Sequence, residues 1–348
     1  MSNRSMPFLA LALLAATGPH ARADLSQSTA PSPGGFLQVG AFETSCACSI
    51  PPGGDLRLFS AGPDFAEGTF LPAQEPSLGV SRVTADVTIS ASGVAGMGFV
   101  RGAAARYSPD TGWFAAGLLN GGWNDVLTVS HPDRAGLPGV LVFQARVRAG
   151  LRAADLTGSA LCEVAVYKDG AQVPVNPLYD QGNADTSFGG NQWARWGIAA
   201  YGGSDAVTRA VDGVVTFAVP ITFGQPFRLG VYSLAFAGQR SSGGFGGTWS
   251  RCSIDFSQGM TWNGVTGVYA DGAPVSGVTI GAASGTDWGA PYGGCPADVN
   301  GDGFLDFFDY DDFVSAFESG GSVADFNGDG FVDFFDYDDF VGAFETGC

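Results

Sequence analysis

The chain has 348 residues, 34 acidic and 16 basic side chains, and a net charge of −18. That surplus argues against a nucleic-acid partner. A single lysine, Lys168, among 54 glycines and abundant Thr and Val argues against a helical protein and for short strands with tight turns.

Residues 1–23 read as an export signal. Arg4 supplies the positive end, Met6 to Ala16 the apolar run, and Ala21-Arg22-Ala23 the small-x-small cleavage site before Asp24. A retained anchor is the alternative. No later stretch reaches the roughly 18 apolar residues that a membrane span needs. The expected location is therefore extracellular, secreted or at the cell surface. Residues 24–35 (DLSQSTAPSPGG) read as a linker.

Residues 36–294 are expected to form one β-sandwich domain of jelly-roll or immunoglobulin-like type. Arg82 to Ser90 alternates Val83, Ala85, Val87 and Ile89 against polar residues, which predicts one half-buried strand. Tyr107 to Ala116 has no clean period. Gly139 to Arg148 alternates through Leu141, Phe143, Ala145 and Val147, and Leu161 to Tyr167 is a further run. Val214 to Val219 and Phe227 to Ala237 read as a pair joined by Ile221 to Pro226.

Catalytic residues are not expected. His131 sits in the turn sequence Ser130-His-Pro-Asp-Arg134, and no Gly-x-Ser-x-Gly elbow occurs. Glu43, Glu67, Glu75 and Glu163 belong to no local motif, although glycosidase carboxylates come from distant strands. All seven tryptophans lie in this region, either as core or as a sugar-stacking platform, and Gln192-Trp-Ala-Arg-Trp196 interleaves polar and aromatic residues.

Residues 295–348 hold 14 of the 34 acids and no Lys or Arg. Asp298 to Glu318 recurs 27 residues later as Asp325 to Glu345, with three of 21 positions changed. A unit this short cannot bury a core alone, so the copies are expected to pack on each other. Each copy opens with oxygen ligands at calcium-loop spacing. Asp298, Asn300 and Asp302, then Asp325, Asn327 and Asp329, hold positions 1, 3 and 5. Gly303 and Gly330 allow the sharp turn at position 6, and Phe304 and Phe331 offer a carbonyl at position 7. Asp306 and Asp333 hold position 9, and Asp309 and Asp336 position 12. Two Ca2+ ions suit this all-oxygen set better than Mg2+, which keeps its waters. Tyr310, Phe313 and Phe317, and Tyr337, Phe340 and Phe344, then form one apolar helix stripe per copy. No helix pattern precedes either loop.

These motifs resemble a dockerin, the duplicated EF-hand-like calcium module that plugs exported proteins into cohesin partners. The likeness is to the variety bracketed by cysteine and ending in Gly-Cys, here Cys295 and Gly347-Cys348. It covers residues 295–348 and implies that the twelve loop residues bind calcium. It also implies recognition of a cohesin-like protein at loop positions 10 and 11, here Phe307, Phe308, Phe334 and Phe335, although one Phe of each pair could be core. Dockerin-bearing proteins are often components of polysaccharide breakdown, so an O-glycosyl hydrolase or a carbohydrate-binding module is the alternative to a non-catalytic exported protein. The middle of the chain resembles exported β-sandwich ectodomains with a Pro-Glu-Pro sorting tail. Trp123 to Val129, Val219 to Leu229, Met260 to Val265 and Ser284 to Trp288 carry that likeness.

Six cysteines in an exported chain suggest disulfides. Joining Cys295 to Cys348 would tie the ends of the repeat, with a free C-terminal thiol as the alternative. Cys46 and Cys48 would share a strand face, which favours separate partners in Cys162 and Cys252. Zinc is not expected, because no companion Cys-x-x-Cys or His cluster exists.

Overall fold

Alternating apolar and polar side chains make strands of most of the first unit, and the 27-residue repeat makes two helices in the second. The computed structural model describes residues 30–45, 64–83, 87–108, 113–154, 158–180, 193–202, 205–239, 250–292, 297–299, 305, 307–327 and 331–346. The chain divides into two compact units, Met1–Gly289 and Ala290–Cys348. The export signal lies outside the described residues, as do Cys46, Cys48, Cys295 and Cys348. No helix among the described residues is long and apolar enough to cross a membrane.

The first unit is mainly β. Its first strands are β1 (Gly34–Ser45), β2 (Asp64–Phe70), β3 (Ser77–Val83), β4 (Thr88–Gly96), β5 (Phe99–Ser108) and β6 (Trp113–Ser130). There follow β7 (Pro138–Ala154), β8 (Gly158–Lys168), β9 (Ala171–Gln172), β10 (Arg195–Tyr201) and β11 (Val207–Thr222). The last are β12 (Pro226–Gln239), β13 (Ser250–Ala270), β14 (Ala273–Pro274) and β15 (Thr279–Ala282). One antiparallel sheet, A, has the order β10-β8-β12-β6-β1-β2, with β9 and β15 appended. The other, B, runs β11-β7-β13-β5-β4-β3, with β14 appended. The sheets pack face to face around a core that includes Leu37, Val39, Leu119, Leu141, Phe143, Val147, Val231 and Ile254. Asp169-Gly170 and Asp271-Gly272 take positive φ in the two-residue turns after β8 and β13, the geometry that matches strand twist.

Local periodicity succeeded where one strand fills the window. Leu141, Phe143, Ala145 and Val147 all point into the core from β7. The alternation of Arg82 to Ser90, by contrast, runs through the end of β3 and the start of β4, which pair with Val83 opposite Thr88. Val83 is 72% exposed. The run from Val214 to Ala237 also differs from the expected pair, because β11 belongs to sheet B and β12 to sheet A. The turn at Phe223-Gly224-Gln225 therefore carries the chain between sheets. Residues 30–35, read as linker, are tied to the sandwich. Pro31 O accepts from Asn124 Nδ2 at 2.8 Å, Ala30 O accepts from Arg228 Nη2 at 3.2 Å, and Gly34 and Gly35 begin β1.

In the second unit the helices are α1 (Phe307–Ser319) and α2 (Phe334–Thr346), each directly after its loop. α1 stops at Gly320, whose φ of +66° supplies the left-handed cap, and Gly321 N–H donates to Ala316 O.

Candidate metal centre

The helix stripes expected from the repeat meet as twins. Phe313 and Phe340 occupy the same position in the two copies, are fully buried, and stack at 3.8 Å with planes 4° apart. Tyr310 and Tyr337 hydroxyls lie 2.5 Å apart. The other ring contacts between the two helices come in reciprocal pairs. Tyr310 meets Phe344 at 5.8 Å while Phe317 meets Tyr337 at 5.8 Å, as a two-fold axis demands. Phe326 packs edge-on against both central rings.

Asp309 and Asp336, at position 12 of each loop, are both fully buried, and Asp298 is 9% exposed. Asp336 ties its loop together. Its Oδ1 accepts from the backbone N–H groups of Phe326 (2.8 Å) and Asn327 (3.1 Å), and its Oδ2 from that of Asp333 (2.8 Å). Those bonds, the one from Asp333 first, hold its carboxyl below the usual carboxylate range, so it is charged at neutral pH. Asp333 Oδ1 accepts from Phe335 N–H at 2.9 Å and caps α2. Asp325 is half-buried, while Asn327, Asp333 and Phe331 are exposed. Among the described residues no three His, Cys, Asp or Glu side chains converge on one metal position. Asn300, Asp302, Phe304, Asp306 and Asp329 lie outside the described residues.

The donor chemistry fits a hard cation. Residues 290–348 contain no Lys, Arg or His, so their unit holds no basic side chain to balance the buried carboxylates of Asp309 and Asp336. Burying ionised groups without an opposite charge is costly, and an all-oxygen set of carboxylates, amides and carbonyls is the one that Ca2+ takes.

Phe307, Phe308, Phe334 and Phe335 are 71, 68, 71 and 69% exposed. The alternative in which one of each pair is core does not hold. Each Phe-Phe pair opens its helix, and the exposed pairs Asp311-Asp312 and Asp338-Asp339 follow.

No protein-family model and no curated protein matches this chain.

Other candidates in the first unit resolve into structure. Trp123, Trp196, Trp262 and Trp288 are buried, so none of these four supplies a stacking platform, and Trp193 is half-buried. Three of them gather around Asp125, which is 2% exposed. Trp288 Nε1 donates to Asp125 Oδ2 at 2.7 Å, Trp262 Nε1 donates to Trp288 O at 3.0 Å, and Ser284 Oγ also bonds Asp125. The space that these residues line with Leu127 and Leu229 has no room for a water molecule. All four segments of the Pro-Glu-Pro-tail likeness thus meet in one knot, a packing reason for motifs that sequence alone left unexplained. Glu67, Gln38, Asn120, Leu234 and Glu163 form one cross-strand row of sheet A. Four inter-strand steps separate the two Glu by roughly 19 Å, beyond the about 5–9.5 Å of a glycosidase pair. Glu163 is bonded to Arg195 instead. His131 Nδ1 accepts from Asp133 N–H within its turn. Cys162 is a free thiol sealed in the sandwich at 0% exposure, so the bridge expected from Cys46 or Cys48 is not made there. Cys252 Sγ donates to Gly238 O at 3.2 Å.

Proposed function

We propose that the C-terminal unit is a calcium-dependent docking module of dockerin type, which attaches an exported, non-catalytic sandwich of jelly-roll type to a cohesin-like extracellular partner. Each loop holds one Ca2+, through Asp298, Asn300, Asp302, Phe304, Asp306 and Asp309 in the first and Asp325, Asn327, Asp329, Phe331, Asp333 and Asp336 in the second. The observation that carries this reading is the burial of Asp309 and Asp336 at equivalent places of a two-fold pair that contains no base. The chain's role towards the ions is to pre-form the loops: Asp336 gathers three backbone N–H groups, and the Phe313–Phe340 stack fixes the helices that carry both position-12 residues. Bound Ca2+ supplies the missing positive charge. The four exposed phenylalanines then offer the partner a desolvatable apolar surface. Calorimetric titration of the EGTA-treated full chain with CaCl2, followed by far-UV circular dichroism, tests the reading. Two ions bound with a gain of helicity are expected, and no uptake overturns it. A pull-down from an extracellular fraction with and without EGTA tests the partner, which should be released by the chelator.

A further inference from the structure

Among the described strands, the outward face of sheet B carries the densest set of arginines. On β7, Val147 and Leu151 point into the core, so Arg146, Arg148 and Arg152 point out. On β13, buried Cys252 leaves Arg251 outward, over the ring of Tyr107 at 5.1 Å. Arg152 and Arg251 are exposed. Arg146 and Arg148 share Asp212 at 3.0 and 3.3 Å, which leaves that trio one net positive charge. Besides Asp212, the acid facing these arginines from the neighbouring strands is Asp255.

Between Arg148 and Arg152 the register places a row of short side chains across six strands: Ala210, Gly150, Asp255, Ala103, Ser92 and Gly79. Packing does not require glycine in it. A Cβ on Gly150 would meet nothing closer than 3.7 Å, and one on Gly79 nothing closer than 3.8 Å. Arg148 and Arg152 thus flank this row on β7, about 14 Å apart along the strand, and the row itself runs roughly 24 Å across the sheet, from five inter-strand steps. Thr208 and Ser253 lie beside Arg152 in the next row and add hydroxyls.

From this arrangement we infer that the outward face of sheet B binds an anionic polysaccharide laid across the strands along the Gly150 row. Guanidinium groups bind carboxylate or sulfate in a two-pronged geometry, and Thr, Ser and the exposed backbone rim suit sugar hydroxyls. Charge complementarity selects the occupant, because the face is basic in a chain of net charge −18. Single-stranded nucleic acid would need free aromatic faces for its bases, and Tyr107 is taken by Arg251. The inference is independent of the calcium reading.

The test is affinity electrophoresis of the full chain through gels containing polygalacturonate, dextran sulfate or neutral dextran, at low salt. EGTA is present so that calcium cannot bridge carboxylates. Retardation by one or both polyanions and none by dextran is expected, and which polyanion acts names the charged group. The combined R148Q, R152Q and R251Q variant, shown folded by near-UV circular dichroism, should bind about tenfold more weakly or worse, since each guanidinium–anion pair removed is worth roughly a factor of ten. G150E keeps every arginine and should weaken binding in the same direction by filling the row. No retardation by either polyanion, equal retardation by dextran, or unchanged binding of both variants overturns the inference. So does salt-sensitive self-association that the triple variant abolishes, which would make the acidic unit of a second copy the occupant.

Discussion

Glu163 and Asp336 are both carboxylates sealed from water, one in each unit. Glu163 is 5% exposed and lies against the guanidinium of Arg195. Burial pushes its carboxyl up, and Arg195 offsets only part of that. Asp336 has no base in its unit and relies on three backbone N–H groups. The sandwich therefore supplies its own counter-charges, whereas on the calcium reading the C-terminal unit takes its counter-charge from solution. The two units should respond differently to the same perturbation.

The sharpest way to break this contrast is within the sandwich. Arg195→Ala leaves Glu163 buried and unpaired and should cost about 3–5 kcal/mol, read as a lower first-unit transition in differential scanning calorimetry. Replacing both partners, Arg195→Met with Glu163→Leu, should return stability to within about 1 kcal/mol of the original. If the single and double variants are equally destabilised, the ion pair is not what balances Glu163. Calcium removal acts on the other unit. A hundredfold excess over Kd should stabilise it by about 2.7 kcal/mol for each of the two sites, so EGTA should lower the C-terminal transition and leave the sandwich transition in place. A shift of both together would count against separate counter-charge supply. Asp336→Ala strands the N–H groups of Phe326, Asn327 and Asp333 and should cost about 1–3 kcal/mol even in chelator, again in the C-terminal transition alone.

Acid gives the smallest effect, with opposite signs in the two units. Asp180 is half-buried, accepts from Ala218 and Asn176 N–H, and has its carboxyl pushed up to about 6, burial being the main cause. A folded pKa above the unfolded value means that protonation favours the fold, so the sandwich gains stability as pH falls from about 6 towards 4. After solvent screening the gain is at most about 1 kcal/mol. Asp336 is lowered, so its contribution is present above the unfolded carboxylate pKa and is lost as pH falls further through the folded one. Calorimetry in chelator on acidification should show the sandwich transition rising and the C-terminal transition falling, and parallel movement would contradict the assignment.

Much of the C-terminal unit was legible because its signals are local. The stripe of Tyr310, Phe313 and Phe317 needs only helical period, and the repeat itself announces a twin to pack against. The fate of Phe307, Phe308, Phe334 and Phe335 was not, because they lie at the first helical turn, where the stripe does not yet separate inside from outside. In the sandwich, alternation found β7 but ran unbroken across Val83 and Thr88, since no Gly or Pro marks that hairpin. The turn at Phe223-Gly224-Gln225 reads the same whether it joins neighbours in one sheet or crosses to the other, and partner choice is a long-range property that side-chain order does not encode. The arginine face of sheet B escaped for the same reason: Arg251 lies about a hundred residues from Arg148 and joins it only through register.

The stack of Phe313 on Phe340 carries one more consequence. Because each ring rests on its own duplicate, neither half of the repeat is free to drift by itself, and divergence is confined to places that the contact tolerates. The three differing positions obey this rule. Ser315 and Gly342 are exposed, while Val299 against Phe326 and Leu305 against Val332 exchange one apolar residue for another at the rim of the shared core. Duplication here acts as a mutual template, in which each half preserves the shape of its sibling.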